Sequence, residues 1–120
     1  MKLRLHSNSV RFRLSRSEVD ALGETGRVEE SIQFTPDRAL QYSIECAEIP
    51  EPTAALDANE IRVKLPRTEV KQWVETDQIS IESNQGPLHL LIEKDFKCIH
   101  RDSPEDADSF PNPLAVNEPE

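Results

Sequence analysis

The feature that most constrains the fold is a repeat within the chain. When residues 10–28 are set against residues 61–79, at an offset of 51 without gaps, seven of the nineteen positions are identical. The identical pairs are Arg11/Arg62, Leu14/Leu65, Arg16/Arg67, Glu18/Glu69, Val19/Val70, Glu24/Glu75 and Thr25/Thr76. Unrelated segments of this length share about one identical position by chance. The repeat predicts two copies of one structural unit; convergence of two similar strand–helix turns is the alternative.

Strand patterns flank the repeated segments. Residues 2–6 and 10–14 alternate between apolar and polar side chains, and Ser7-Asn8 between them is typical of a tight hairpin turn. The same alternation predicts further strands at residues 28–34, 40–46, 61–65, 79–81 and 88–98. Residues 48–59 contain two prolines and show no clear period, so we predict a surface loop there.

A short helix is predicted in each copy. In the first, Ser15 and Glu18 have the spacing of a capping box, and Gly23 or Gly26 can end the helix in a left-handed conformation. In the second, Pro66 opens the helix, where its missing amide hydrogen would have no partner in any case. Each half is therefore predicted to contain a strand, a strand, a helix and a strand.

These elements predict an α+β fold that is mostly β. Two strand-strand-helix-strand units related by a pseudo-twofold axis would bury each other's apolar faces as a small closed barrel with two short helices. Closure would also remove exposed strand edges. We assign residues 1–101 to this single duplicated domain, with halves of about 1–46 and 47–101, and residues 102–120 to an acidic, proline-containing tail.

Composition limits the class of protein. The 120-residue chain has a net charge of −9 and no apolar stretch long enough for a bilayer span or a secretory signal, which predicts a cytoplasmic protein without a membrane partner. Binding of a nucleic acid needs clustered Lys and Arg side chains, and the net negative charge of the chain argues against such binding. The strand–proline–helix–strand pattern is also similar to the swapped-hairpin transcription-factor domains. That similarity implies a DNA-binding dimer, which the charge disfavours.

Charge is distributed unevenly along the chain. Residues 1–17 contain no acid and five bases, which are Lys2, Arg4, Arg11, Arg13 and Arg16. Residues 102–120 contain no base and six acids, which are Asp102, Glu105, Asp106, Asp108, Glu118 and Glu120. This asymmetry predicts attraction between the two segments.

The basic segment is predicted to form a hairpin with Arg11 and Arg13 on one face and Lys2 and Arg4 on another. Rows of like charge on neighbouring strands repel one another, so a counter-charge is expected nearby. We predict that the acidic tail packs against this hairpin, within one chain or across a dimer, with the ring of Phe110 as its apolar anchor. A solvated, disordered tail is the alternative.

Glu30 breaks the repeat. It falls between Val28 and Ile32 on the face that should point inward, where the second half has Ile81. We predict a β-bulge that turns Glu30 outward. A buried carboxylate with a raised pKa is the alternative.

One cluster has metal-ligand character. Cys98 and His100 share a face of the last predicted strand, and a thiolate with an imidazole suits zinc. A third ligand could come from Asp102, Asp106 or Asp108. A Cys-x-His pair supplies only two ligands, however, and Cys98 is in phase with apolar strand positions. We therefore predict that no metal is bound.

No other pattern indicates chemistry. The chain has three glycines in all and lacks a glycine-rich phosphate loop, so we predict no catalytic residue, no cofactor and no enzyme activity. Cys46 and Cys98 are predicted to be reduced and mostly buried thiols. Glu24-Thr25 and Glu75-Thr76 are interpreted as helix exits, with a matched pair of ligand loops as the alternative.

Several motifs resemble a family of small bacterial proteins of unknown function. They are Lys2-Leu3-Arg4-Leu5, residues 14–19, residues 22–28, residues 93–98 and Phe110-Pro111-Asn112-Pro113. The resemblance covers nearly the whole chain and implies a bacterial cytosolic protein, but it carries no known activity. We expect a non-enzymatic interaction or structural protein that self-associates or binds a protein partner. The alternative is a small metal- or ligand-binding domain that uses Cys98, His100 and the tail carboxylates.

Overall fold

Eight strands and two helices make up residues 1–96, the part of the chain that the computed structural model describes. The strands are β1 (Lys2–His6), β2 (Ser9–Leu14), β3 (Arg27–Thr35), β4 (Arg38–Ala47), β5 (Thr53–Asp57), β6 (Glu60–Pro66), β7 (Ser80–Gln85) and β8 (Leu88–Lys94). The helices are α1 (Arg16–Thr25) and α2 (Arg67–Glu75). The mostly-β α+β class is confirmed. Each half ends in a hairpin rather than a single strand.

Both four-stranded sheets are assembled from the two halves of the chain. Sheet A has the order β1-β2-β8-β7, and sheet B has the order β3-β4-β6-β5. The halves meet where β2 pairs in parallel with β8 and where β4 pairs in parallel with β6. Each helix carries the chain from one sheet to the other, so the two halves interlock.

The predicted closed barrel is wrong, because in residues 1–96 the edges of the two sheets are not joined by backbone ladders. Side chains connect the edges instead. The Gln85 amide at the end of β7 donates to the carbonyl of Ala54 at 2.9 Å and accepts from its amide at 2.8 Å. At the opposite edge, the amino group of Met1 donates to Glu30 of β3 at 2.5 Å. Side chains can bridge a gap that is wider than the roughly 4.8 Å spacing of paired strands.

The predicted surface loop at residues 48–59 is also wrong in part, because it contains strand β5. Ala54 pairs with Val63 and Leu56 with Ile61 in an antiparallel ladder. Leu56 lies 51 residues after Leu5, so β5 continues the repeat beyond the segment in which identities are dense. Two alanines and an exposed leucine give too little hydrophobic alternation to reveal this strand in the sequence.

Glu30 is neither bulged outward nor fully buried. It pairs with Tyr42 in a regular ladder, and the register shift in this hairpin falls between Gln33 and Thr35. The half-buried carboxylate accepts hydrogen bonds from the Tyr42 hydroxyl at 3.1 Å and from the Met1 amino group. Burial, followed by this hydrogen bond, raises the pKa of Tyr42. Because both carboxylate oxygens have donors, the strand accommodates the acid without a bulge.

The core lies between the inner faces of the sheets and the two helices. Within residues 1–96, thirteen apolar residues are buried there: Phe12, Leu14, Val19, Leu22, Tyr42, Ile44, Val63, Leu65, Val70, Trp73, Ile81, Leu90 and Ile92. The largest of them, Trp73, is fully buried, and its indole nitrogen donates to the Ile79 carbonyl at 3.0 Å. A buried indole that finds a partner adds apolar area without leaving an unpaired donor.

The ends of α1 follow the sequence pattern. Ser15 and Glu18 form the predicted capping box, and Gly26 ends the helix in the left-handed conformation at φ 81°. Glu18 also accepts from the amino group of Met1. Burial alone would raise the pKa of Glu18, but the hydrogen bonds from the Met1 amine and from Ser15 outweigh it, and the pKa is lowered. In α2 the N-cap position is Pro66, which has no side-chain cap.

Replacing Ser15 with alanine should therefore destabilise the protein. Ser15→Ala removes the side-chain acceptor of the capping box, and we expect it to lower the free energy of unfolding by about 0.5–2 kcal/mol. Urea denaturation followed by circular dichroism measures the change. The matched control is Thr68→Ala in the first turn of α2, an exposed position with no capping role, which should be neutral. Equal losses in both variants would contradict the role of the cap.

The lowered pKa of Glu18 predicts a pH dependence of stability. A carboxylate with a depressed pKa in the folded state stabilises the fold above its unfolded pKa, and this stability is lost as pH falls through the folded value. The wild-type chain should thus be more stable than Glu18→Gln at pH 7, and the difference should shrink below about pH 4. Urea denaturation at several pH values tests this, with the exposed Glu24→Gln of the same helix as control. A difference that is independent of pH would contradict it.

Candidate functional site

The outer face of sheet A carries a row of cations, which we call the basic face. Lys2 of β1 lies directly opposite Arg13 of β2, and Arg4 lies opposite Arg11. Residues directly opposite in an antiparallel pair share a face. The prediction that the two arginines of β2 and the two bases of β1 lie on different faces is therefore wrong, and all four project from the same side of the sheet.

The alternating sequence accounts for this arrangement. In β2, Phe12 and Leu14 are fully buried, so the intervening Arg11 and Arg13 must point to the opposite face. The hairpin register then places the bases of β1 beside them. Two cross-strand pairs of like charge destabilise the hairpin unless anions lie nearby.

Two carboxylates from the end of β8 partly neutralise the basic face. Glu93 lies 2.9 Å from Nη2 of Arg13 and 3.5 Å from Nε of Arg11. Asp95 lies 3.1 Å from Nζ of Lys2. The expected counter-charge is thus present within the domain itself. Glu93 is shared between the guanidinium groups of Arg11 and Arg13.

A groove of about 420 Å³ continues from the basic face toward the β1–β2 turn. Its ten lining residues are Arg4, His6, Ser7, Asn8, Ser9, Val10, Arg11, Pro87, His89 and Leu91. The groove therefore combines cations and imidazoles with the apolar side chain of Leu91, which alternates with the buried Leu90 and Ile92 and so lies on the outer face. Such a lining can hold a carboxylate beside a hydrophobic side chain.

The groove is held open by contacts between its two bordering turns. The side-chain amide of Asn8 donates to the Pro87 carbonyl at 2.6 Å, and the backbone amide of His89 donates to the backbone carbonyl of Asn8 at 3.0 Å. Nε2 of His89 lies 2.8 Å from Glu82, which orients the imidazole. The position of the groove depends on the β1–β2 and β7–β8 turns, which are about eighty residues apart in the sequence.

The outer face of sheet B has a different charge pattern. Arg27 contacts Glu29 at 2.9 Å and Glu45 at 3.1 Å, and Arg62 contacts Glu60 at 2.5 Å. Acids and bases alternate across this face, so each arginine has a carboxylate from its own sheet. The basic face is therefore a property of sheet A rather than of both outer surfaces.

The structure places Cys46 in a cleft between the helices. The thiol is free and half-buried, and burial raises its pKa. Its sulfur lies 3.9 Å from the Leu22 carbonyl. A thiol with a raised pKa is a weak nucleophile at neutral pH, and these contacts indicate a packing role for Cys46.

The predicted Cys98–His100 cluster, its candidate ligands Asp102, Asp106 and Asp108, and Phe110 all lie outside the described residues. Within residues 1–96, no three His, Cys, Asp or Glu side chains lie close enough together to hold a metal ion. Thr25 and Thr76, offered as helix exits, each donate their hydroxyl to the carbonyl four residues earlier, at 2.8 and 2.6 Å.

The tip of the β3–β4 hairpin forms an apolar surface that the sequence analysis did not single out. Phe34 is 70% exposed and Ile32 45% exposed, and both extend beyond the part of sheet B that faces sheet A. Leu56 on β5 is 76% exposed. The alternation of Ile32 and Phe34 predicts a half-buried strand, but a sequence pattern does not show where the opposing sheet ends.

The protein thus has an α+β fold of two interlocked four-stranded sheets. One of these sheets, sheet A, has a cationic outer face with an adjoining groove. The chain belongs to the family of unknown function DUF7009, whose model matches residues 1–114. This confirms the resemblance to a family of unknown function. No curated protein and no solved structure matches the chain. In the described part of the chain, neither helix has the length and apolar character needed to cross a membrane.

Proposed function

We propose that this protein is a non-enzymatic interaction module whose basic face binds an acidic segment of a protein. The observation that carries the proposal is the alignment of Lys2 with Arg13 and of Arg4 with Arg11 on one exposed face. This arrangement costs stability through like-charge repulsion, which a bound acidic segment would relieve. A binding role accounts for a charge pattern that folding alone disfavours.

An extended acidic peptide fits this face better than a nucleic acid does. Side chains two residues apart on a strand are spaced by about 6.6 Å, so alternate carboxylates of an extended peptide can match alternate bases of β1 or β2. A phosphate backbone would also meet Glu82, Glu93 and Asp95, which border the cations. The net charge of −9 opposes a long polyanion further.

We also infer that the two halves arose by duplication, and the strand order supports this. Exchanging the halves converts the order β1-β2-β8-β7 into β5-β6-β4-β3, which is the order of sheet B. Thr25 and Thr76 lie 51 residues apart and make the same helix-exit contacts, including acceptance of a hydrogen bond from the amide two residues later, at 3.4 and 3.2 Å.

Sheet registers refine the repeat after the helices. The row Val28, Ile44, Val63 crosses sheet B, and the row Ile81, Ile92, Phe12 crosses sheet A. Because Phe12 and Val63 are 51 residues apart, Val28 corresponds to Ile81 rather than to Ile79. The connection after α2 is therefore two residues longer than the connection after α1. With this correspondence, Glu30 is no longer the counterpart of Ile81, so the repeat does not require an apolar residue at its position.

This correspondence predicts different consequences for two neighbouring isoleucines. Ile81 is buried and Ile79 is 58% exposed. Ile81→Ala should lower the free energy of unfolding by about 2–5 kcal/mol, whereas Ile79→Ala should change it by less than about 0.5 kcal/mol. Urea denaturation of the two variants measures both values. Similar losses would contradict the two-residue shift.

The duplication also provides a comparison for function. Arg11 and Arg13 correspond to Arg62 and Lys64, so the outer faces of the two sheets descend from one pattern. In sheet B, Glu60 of the same strand contacts Arg62, and Glu45 of the neighbouring strand β4 lies 4.0 Å from Lys64. The like-charged cross-strand pairs Lys2–Arg13 and Arg4–Arg11 on sheet A support a specific role for that face.

The binding proposal is tested with the full chain and a fluorescent peptide of alternating Asp and Ser. We expect binding that weakens from 50 to 300 mM salt, because the contacts are exposed and screened. Arg11→Gln combined with Arg13→Gln should weaken binding about five- to tenfold, since each exposed pair contributes under about 1 kcal/mol. Fluorescence anisotropy measures the affinities.

The matched control is Arg27→Gln combined with Arg62→Gln, which removes two similarly exposed arginines from the outer face of sheet B. It should leave binding unchanged. If the Arg11→Gln, Arg13→Gln variant does not fold, Lys2→Gln replaces it. This change retains both Glu93 contacts and should weaken binding about two- to threefold. Equal binding by all variants, or binding of an oligonucleotide in preference to the peptide, would overturn the proposal. The bacterial cytosolic setting remains a prediction.

A further inference from the structure

We propose that residues 102–110 of the same chain, the acidic segment, occupy the basic face and must be displaced before another acidic partner can bind. This inference rests on the proposed function of that face. It assigns the face a first occupant, carried within the chain, and makes access to the face a regulated step.

The point where the described chain ends brings the acidic segment to the basic face. Asp95 follows β8 directly, and its amide donates to the Leu14 carbonyl at 2.8 Å while its carboxylate contacts Lys2. The chain therefore leaves the sheet at one end of the row of cations. From there the chain can reverse its direction and run back along the row without crossing to another side of the molecule.

Chain length is sufficient for this path. An extended chain advances about 3.3 Å per residue, so the seven residues from Asp95 to Asp102 can span roughly 23 Å. The row from Lys2 to His6 is only about 13 Å long by the same measure. Asp102 can thus reach any base of the row, and the following residues can continue into the groove.

The charges of the acidic segment complement those of the face. Asp102, Glu105, Asp106 and Asp108 place four carboxylates within seven residues, with no base among them. Arg11 and Arg13 share the single carboxylate of Glu93. Added carboxylates would give each guanidinium its own anion.

Exposed ion pairs alone would hold such a segment weakly, because each is screened by solvent and salt. Phe110 follows the acids and is the segment's first aromatic residue. The apolar residues that line the groove include Pro87 and Leu91. Burial of the ring against them would anchor the segment where the carboxylates alone cannot.

A tethered occupant competes strongly even when its intrinsic affinity is low. A short tether of this kind gives an effective concentration in about the millimolar range. An external acidic partner must therefore bind strongly enough to displace the tethered segment. Conditions that weaken the contacts of that segment would free the basic face. The acidic segment acts as a built-in inhibitor of the basic face.

The test compares the full wild-type chain with a full-length variant that carries Asp102→Asn, Glu105→Gln, Asp106→Asn and Asp108→Asn. The probe is the fluorescent Asp/Ser peptide, and the measurement is anisotropy at 50 mM salt. We expect the neutralised variant to bind the probe at least tenfold more tightly. A second variant, Phe110→Ala, should show a smaller increase in the same direction. Glu118→Gln combined with Glu120→Gln, which changes charge beyond the proposed contact, is the control and should bind as the wild type does.

The outcomes separate this inference from the function on which it rests. Equal probe binding by the wild-type and neutralised chains would overturn internal occupancy and leave the acidic-peptide function intact. No probe binding by either chain would overturn both. Sedimentation of the wild-type chain distinguishes occupancy within one chain from exchange between two copies. A concentration-dependent dimer that the four neutralising changes dissolve would overturn the intramolecular assignment.

Discussion

The rest of the structure depends on two parallel strand pairings, β2 with β8 and β4 with β6. Each joins the N-terminal hairpin of one half to the C-terminal hairpin of the other, so neither half has a complete sheet by itself. The helices become crossovers between sheets, and Trp73 and Leu22 fill the space that the crossing creates. Long-range pairing of this kind costs loop-closure entropy, which is repaid only when both sheets bury their inner faces together.

The same pairings create the basic face. Strand alternation in β1 and β2 already separates bases from apolar residues, but the face gains its carboxylates from β8, which joins only through the parallel pairing. Glu93 lies about eighty residues beyond Arg11 and Arg13 in sequence and within 3.5 Å of both in space, and Asp95 likewise reaches Lys2 at the other end of the chain. Like charges placed directly opposite one another on β1 and β2 repel, and this repulsion is the basis of our proposal that the face recognises an acidic segment.

The duplication that we propose accounts for two chemically distinct faces on one small domain. The outer surfaces of sheets A and B occupy corresponding positions, yet sheet B pairs its arginines internally through Glu29, Glu45 and Glu60. Divergence at the helix exits and hairpin lengths is tolerated because these positions are exposed. The core rows diverge less, since Val28 on sheet B and Ile81 on sheet A fill corresponding positions between the sheets.

The sequence by itself determined the local structure: both helices, the Ser15–Glu18 capping box, the hairpin of β1 and β2, and the 51-residue repeat. These follow from side-chain periodicity and capping chemistry, which act within a few residues. The tertiary structure alone decided the separation into two open sheets, the strand at β5, the partners of Glu30 and the shared face of the four bases. Each of these depends on which strands lie side by side, and that is set by the burial of apolar faces between distant segments rather than by any local pattern.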